Sequence, residues 1–152
     1  MYKKILVPLD GSARAERILP HVEGIARQNQ ATVILIQVVM LPQAVDTTSE
    51  ISKAGFFTSL AHRLESDKKK AEDYLNSVKG RLQEKKIETR AQVVLGLPAD
   101  AISQMAEQEK VDLVAMASHG RSGASQLFYG SVAVAVMNRL DRPLLMIRSR
   151  QE

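Results

Sequence analysis

The sequence predicts an α/β protein: a doubly wound parallel sheet of five strands alternating with four helices that cover both faces. Short apolar runs rich in β-branched residues recur along the chain, and between them apolar residues return at intervals of three and four. Two of the runs, residues 31–39 and 111–117, are almost unbroken by charge, as strands covered on both faces must be.

Ile5-Leu6-Val7-Pro8-Leu9 opens the chain as a strand and ends in Asp10-Gly11-Ser12, a turn and helix start. Ala15, Ile18, Leu19, Val22, Ile25 and Ala26 then keep helical spacing. They predict one helix over residues 13–28, with a local kink at Pro20, which has no N–H to donate. Residues 31–39 form the second strand. Residues 41–58, with Pro42, Gly55 and several Ser and Thr, show no period and read as a long mobile connection. From Leu60, the positions Leu64, Ala71, Leu75, Val78 and Leu82 predict an amphipathic helix ending near Lys86. Residues 87–95 alternate and stop at Gly96, giving the third strand. Pro98 suits a first helical turn, and Ala101, Ile102, Met105 and Ala106 mark the helix behind it. Residues 111–117 are the fourth strand and run into the polar turn Ser118-His119-Gly120-Arg121-Ser122-Gly123. Ala133, Val136, Met137 and Leu140 carry the last helix, and residues 143–147 the last strand.

At 152 residues, 45% hydrophobic and 25% charged, the chain has the composition of one globular domain over residues 1–152. No apolar run approaches the roughly 18 residues of a membrane span, and the first one is too short for a secretory signal. Zero cysteines exclude a disulfide framework, a thiolate metal site and a cysteine nucleophile. The expectation is a cytoplasmic protein without a membrane partner. The net charge is +4, and the basic run Lys68-Lys69-Lys70 is flanked by Glu65, Asp67, Glu72 and Asp73. Aromatic residues do not interleave with the basic ones, so the run reads as a solvated helix face and nucleic acid is not an expected partner.

Ligands of open parallel sheets bind beyond the carboxyl ends of strands, where the strand order reverses. Two strand ends carry polar loops: Asp10-Gly11-Ser12, and the 118–123 turn that leads to Gly130-Ser131 at the start of the last helix. Glycines let backbone amides approach an anion, and a helix N-terminus adds a favourable partial charge. These residues leave two readings open, a phosphate cradle or a tight turn with an N-cap serine. The GxxxxGK[ST], GxGxxG and GxSxG motifs are absent. His21 and His62 fall on different helices, and His119 has no carboxylate near it in sequence, so neither a hydrolase triad nor an all-protein metal site is expected. Asp10 is the one obvious carboxylate at the site.

Taken in order, these segments resemble the universal stress protein family over essentially the whole chain. The resemblance rests on residues 4–12, Val38-Val39, Gly96-Leu97-Pro98, Met116-Ala117-Ser118-His119-Gly120-Arg121-Ser122-Gly123, Gly130-Ser131-Val132-Ala133 and Pro143-Leu144-Leu145-Met146-Ile147. The family's ATP-binding branch carries G-2x-G-9x-G-[ST]; here Gly120, the nine residues 121–129 and Gly130-Ser131 match it, while the first glycine falls on Ala117. Alanine there is tolerated where φ is negative. The resemblance implies the strand order 3-2-1-4-5, with the reversal between strands one and four. It implies that Pro8, Leu9 and Asp10 line the nucleotide, Asp10 near the ribose or a phosphate-bound Mg or Mn. The backbone of Val38 would meet the adenine edge, and Met116 and Ala117 the ribose side. Gly120, Arg121, Gly130, Ser131 and Val132 would hold the phosphates. It implies, finally, a stress-response regulatory protein with ATP as its ligand, homodimeric through the last strand. The alternatives are a slow metal-dependent ATP hydrolase and an interaction protein that binds no nucleotide.

Overall fold

The computed structural model describes residues 1–41, 50–118 and 130–148. The strands β1 (Lys4–Leu9), β2 (Thr32–Val39), β3 (Thr89–Leu95), β4 (Leu113–Ala117) and β5 (Leu144–Ile147) form one parallel sheet in the order β3-β2-β1-β4-β5, as expected. Its helices are α1 (Ala13–Glu16), α2 (Leu19–Asn29), α3 (Glu50–Glu84), α4 (Pro98–Gln108) and α5 (Ser131–Arg139). Alternation along the strands divides the core in two. Ile5, Val7, Leu9, Val33 and Leu35 pack with Ala15, Val22, Leu75, Val78 and Leu82, on the face of α1, α2 and α3. Leu6, Ile34, Ile36, Val114 and Met116 pack with Ile102, Met105, Ala133 and Val136, on the face of α4 and α5.

The helix expected over 13–28 is two helices, not one kinked helix. Pro20 has no N–H for the carbonyl of Glu16, so α1 ends there after a single turn. The chain restarts as α2 with Pro20 in its first turn, where a missing N–H leaves nothing unpaired.

The connection expected over 41–58 is helical from Glu50, while residues 42–49 lie outside the described residues. At 35 residues, α3 is about 52 Å long, well beyond the eight-residue β2 it packs on. Its fully buried residues, Ala71, Leu75, Val78 and Leu82, all lie in the second half. In the first half Gly55, Thr58 and Ser59 stand at exposed positions, where burial does not select the residue.

The three helices that lead into β2, β3 and β4 end alike. Gln30, Lys86 and Lys110 take left-handed φ values of 51, 63 and 51°. The next N–H then reaches back five residues: Ala31 to Ala26 at 3.0 Å, Ile87 to Leu82 at 3.1 Å and Val111 to Ala106 at 3.0 Å. Ala31, Ile87 and Val111 are buried, so each corner is pinned by an apolar contact as well as a hydrogen bond. The basic run sits on the outer part of α3 with Lys68 paired to Glu65 and Lys69 to Asp73, both at 3.7 Å.

Candidate functional site

The site grows from a missing hydrogen-bond donor. Thr32 donates to the Lys3 carbonyl at 2.9 Å, and Asp112 to the Lys4 carbonyl at 2.9 Å. Odd-numbered residues of β1 therefore address β2, and even-numbered ones address β4. Pro8 is even-numbered and has no N–H. β1 and β2 pair along the whole strand from Lys4 to Leu9. β1 and β4 pair only at Ile5–Leu113 and Leu6–Val114, although β4 continues to Ala117. The two strands are thus unzipped at their carboxyl ends, at the place where the strand order reverses. Proline within a central strand is the signal that a sequence reading could have used to find this opening.

The structure sorts the expected residues by face. Met116 and Val132 belong to the cluster under α4 and α5, and alternation puts Pro8 and Val38 on the same face as Leu6 and Ile36. Leu9 is buried in the opposite cluster, and Ala117 alternates with Ala115 toward it. Leu9 and Ala117 therefore offer backbone, not side chains, to that face of the opening. Ala117 is not among the described non-glycine residues with positive φ, so its methyl group imposes no backbone strain where the motif has glycine.

Beyond β1, Gly11 takes φ 84°, a left-handed conformation that favours glycine. Asp10 Oδ1 accepts from the Ser12 N–H at 2.9 Å and the Ser12 hydroxyl at 2.6 Å. Ser12 Oγ in turn accepts from the Ala15 N–H at 3.1 Å and caps α1. Asp10 is held rigidly by the start of α1. At the end of α1, Glu16 pairs with Arg81. Burial first, then the Glu16 and Asp10 carboxylates, hold the Tyr74 phenol well above its usual range.

Across the opening, buried Ser118 donates its N–H to the Ile147 carbonyl at 2.8 Å and accepts from the Gly130 N–H at 2.9 Å. Gly130 is the N-cap of α5, no side chain caps the helix, and Ser131 is its first residue. The N-cap serine reading is thereby corrected: glycine stands at the cap, and the first-turn N–H groups are left without a capping side chain. They face the same edge of the sheet as Asp10 and Pro8. Gly120 and Arg121, with His119, lie outside the described residues. Among the described residues no three His, Cys, Asp or Glu side chains gather as a metal site.

A model of the universal stress protein family matches residues 1–148. Universal stress protein MJ0577 of Methanocaldococcus jannaschii is 29% identical, with 99% of this chain and 97% of that protein covered. The solved structure of MJ0577 superposes with a TM-score of 0.82 at 30% identity, covering 100% of this chain and 99% of that one. Two more distant structures share the fold. One is a universal stress protein in complex with cAMP, with a TM-score of 0.65 at 19% identity and 98% of each chain covered. The other, from Archaeoglobus fulgidus in complex with dAMP, has a TM-score of 0.64 at 18% identity, covering 95% of this chain and 97% of that one. No described helix is long and apolar enough to cross a membrane.

Proposed function

Because the chain belongs to the universal stress protein family, we propose that it is a cytoplasmic regulatory protein of the stress response whose ligand is an adenine nucleotide, ATP by preference. The observation that carries this reading is the unzipped β1–β4 edge, which leads directly to the uncapped start of α5. A helix N-terminus attracts anions through its N–H groups and its partial positive charge. Gly130, Ser131 and Val132 supply that donor set for the phosphates, and the glycine lets them approach closely.

The adenine end follows from strand geometry. Even-numbered residues of β2 address β1, as the Thr32 bond to Lys3 shows. The pairing of β1 with β2 ends at Leu9–Gln37. The carbonyl of Val38 therefore points past the end of β1, where it can accept from the exocyclic amine of adenine. The side chains of Pro8 and Met116 form the apolar floor on that face. Asp10 adds one carboxylate to a Mg or Mn ion that the phosphates bring with them; a lone carboxylate suits a shared ion of that kind. The bound cAMP and dAMP of the two distant structures agree with an adenine-nucleotide ligand.

The test is calorimetric titration with Mg-ATP. The expected result is saturable binding by the native chain and at least a tenfold loss of affinity in Gly130→Val, with an unchanged circular dichroism spectrum. Equal affinity in the variant would move the phosphates elsewhere, and no binding by the native chain would favour an interaction protein. Metal-dependent turnover that falls in Asp10→Ala would make the protein a slow hydrolase instead.

A further inference from the structure

α1 is a single turn that buries one side chain, Ala15, whereas α2 buries Leu19, Val22 and Ala26. Polar groups hold the turn at both ends. At its start the Asp10 carboxylate accepts from the Ser12 N–H and hydroxyl, and Ser12 Oγ accepts from the Ala15 N–H. At its end Glu16 pairs with Arg81 in the last turn of α3. Past the break at Pro20 the contact is repeated: Lys85, the residue after α3, donates to Glu23 of α2 at 2.7 Å. Two cations four residues apart thus hold two carboxylates seven residues apart, one on each side of the break. Tyr74 lies seven residues before Arg81 and so on the same face of α3. After burial, the Glu16 and Asp10 carboxylates both raise its phenol, so the two ends of α1 lie along that one face.

We propose that Arg81 is a positioning residue for the nucleotide: through Glu16 it fixes the turn of α1, and with it the direction of the Asp10 carboxylate. This rests on the reading of Asp10 as a ligand-facing group. Ile18, fully buried, anchors the chain at the break. α1 therefore has a fixed pivot at one end and Asp10 at the other. A turn with one buried methyl group has little packing to resist rotation about that pivot, and slack at Glu16 is carried to Asp10. The Lys85–Glu23 pair has no such reach, because α2 is already fixed by its three buried side chains. Arg81 is half-exposed, and an ion pair of that exposure adds little to stability, so its removal leaves the fold in place. The worth of a surface pair also limits the effect on affinity to about fivefold.

Calorimetric titration with Mg-ATP tests this, with Lys85 as the control. Arg81→Met should weaken binding about three- to fivefold. Lys85→Met, which breaks the equivalent pair on α2, should bind like the native chain. Arg81→Lys, which keeps the charge, should recover most of the loss. In an Asp10→Asn background, which keeps the acceptor for Ser12, Arg81→Met should add no further loss. Non-additivity of that kind marks a residue that acts through Asp10, and a general loosening of the fold does not produce it. Native affinity in Arg81→Met, an equal loss in Lys85→Met or in Arg81→Lys, or an undiminished effect in the Asp10→Asn background overturns the proposal. If the native chain itself binds no Mg-ATP, the nucleotide reading fails, and hydrogen exchange then judges the hold of Arg81 on α1 by itself. The Ala15 amide, held by Ser12 Oγ, should exchange several-fold faster in Arg81→Met but not in Lys85→Met. Unchanged protection overturns the proposal.

Discussion

Single residues decide where the sheet opens and where it holds. Pro8 ends the β1–β4 ladder because its nitrogen, aimed at β4, has no hydrogen to give. Pro8→Ala restores that donor and extends the ladder by one bond, a gain of about 1 kcal/mol that the freer unfolded chain offsets by a similar amount. The expected outcome is near-constant stability, a newly protected amide at position 8 in hydrogen exchange, and a several-fold loss of Mg-ATP affinity as the opening narrows. At the other end of the same strands, Asp112 Oδ2 accepts from the Lys3 N–H at 2.7 Å and the Lys4 N–H at 2.8 Å. These bonds, Lys4 first and Lys3 second, hold its carboxyl below the usual carboxylate range. A carboxylate lowered by folding adds stability above its unfolded pKa and loses it as pH falls through the folded one. Denaturant titrations should therefore show Asp112→Ala less stable by about 1–2 kcal/mol near neutral pH. The gap should close below the ordinary carboxylate value of about 3.9. A gap that persists undiminished at the acid end would assign the loss to packing instead of to the ionised carboxylate.

Elements show why some of this structure was legible in the sequence and some was not. The second and fourth strands declared themselves because both faces are buried and charge is excluded from them. The start of α3 did not, because burial imposes no period on exposed positions such as Gly55, Thr58 and Ser59. Pro20 was read as a kink because sequence alone does not say whether the following turn restarts. The helix ends were hidden for another reason: glycine is the usual mark of a left-handed cap, and Gln30, Lys86 and Lys110 stand there instead. Asp10, Gly130 and Ser131 are readable as candidate site residues because polar and glycine residues interrupt apolar runs at the edge where the strand order reverses. The orientation of Leu9 and Ala117 away from the α4/α5 face needed the strand parity, and the opening itself needed Pro8 to be read as a missing donor. The three caps lend themselves to a direct test. An L-residue in the left-handed region costs about 1–2 kcal/mol, and glycine returns part of that in unfolded-state entropy. Gln30→Gly, Lys86→Gly and Lys110→Gly should each stabilise the fold by about 0.5–1 kcal/mol. The Lys110 corner packs in the other half of the core from the Gln30 and Lys86 corners, so its gain should add nearly fully to either of theirs in the same denaturant titration. A destabilised Lys86→Gly would show that the lysine stem, not the backbone, holds its corner.

For the whole molecule the open question of assembly turns on β5, which has β4 on one side and nothing from the sheet on the other. Val114 donates to the Pro143 carbonyl at 3.0 Å and Ser118 to that of Ile147 at 2.8 Å. Odd-numbered residues of β5 therefore face β4, and the N–H groups of Leu144 and Met146 point outward. An apolar strand with outward donors is an edge that a second copy can extend. A homodimer paired through this strand is what the family resemblance implies. Proline at position 146 removes one outward donor and leaves every bond to β4 in place, so Met146→Pro should disrupt such a dimer without unzipping the sheet. Light scattering at low concentration should then fall from twice the 16.8 kDa chain mass to the single mass. Met146→Leu, which keeps the donor and a similar side chain, should remain a dimer. A Met146→Pro protein that keeps the full mass at every concentration would place the principal contact somewhere other than β5.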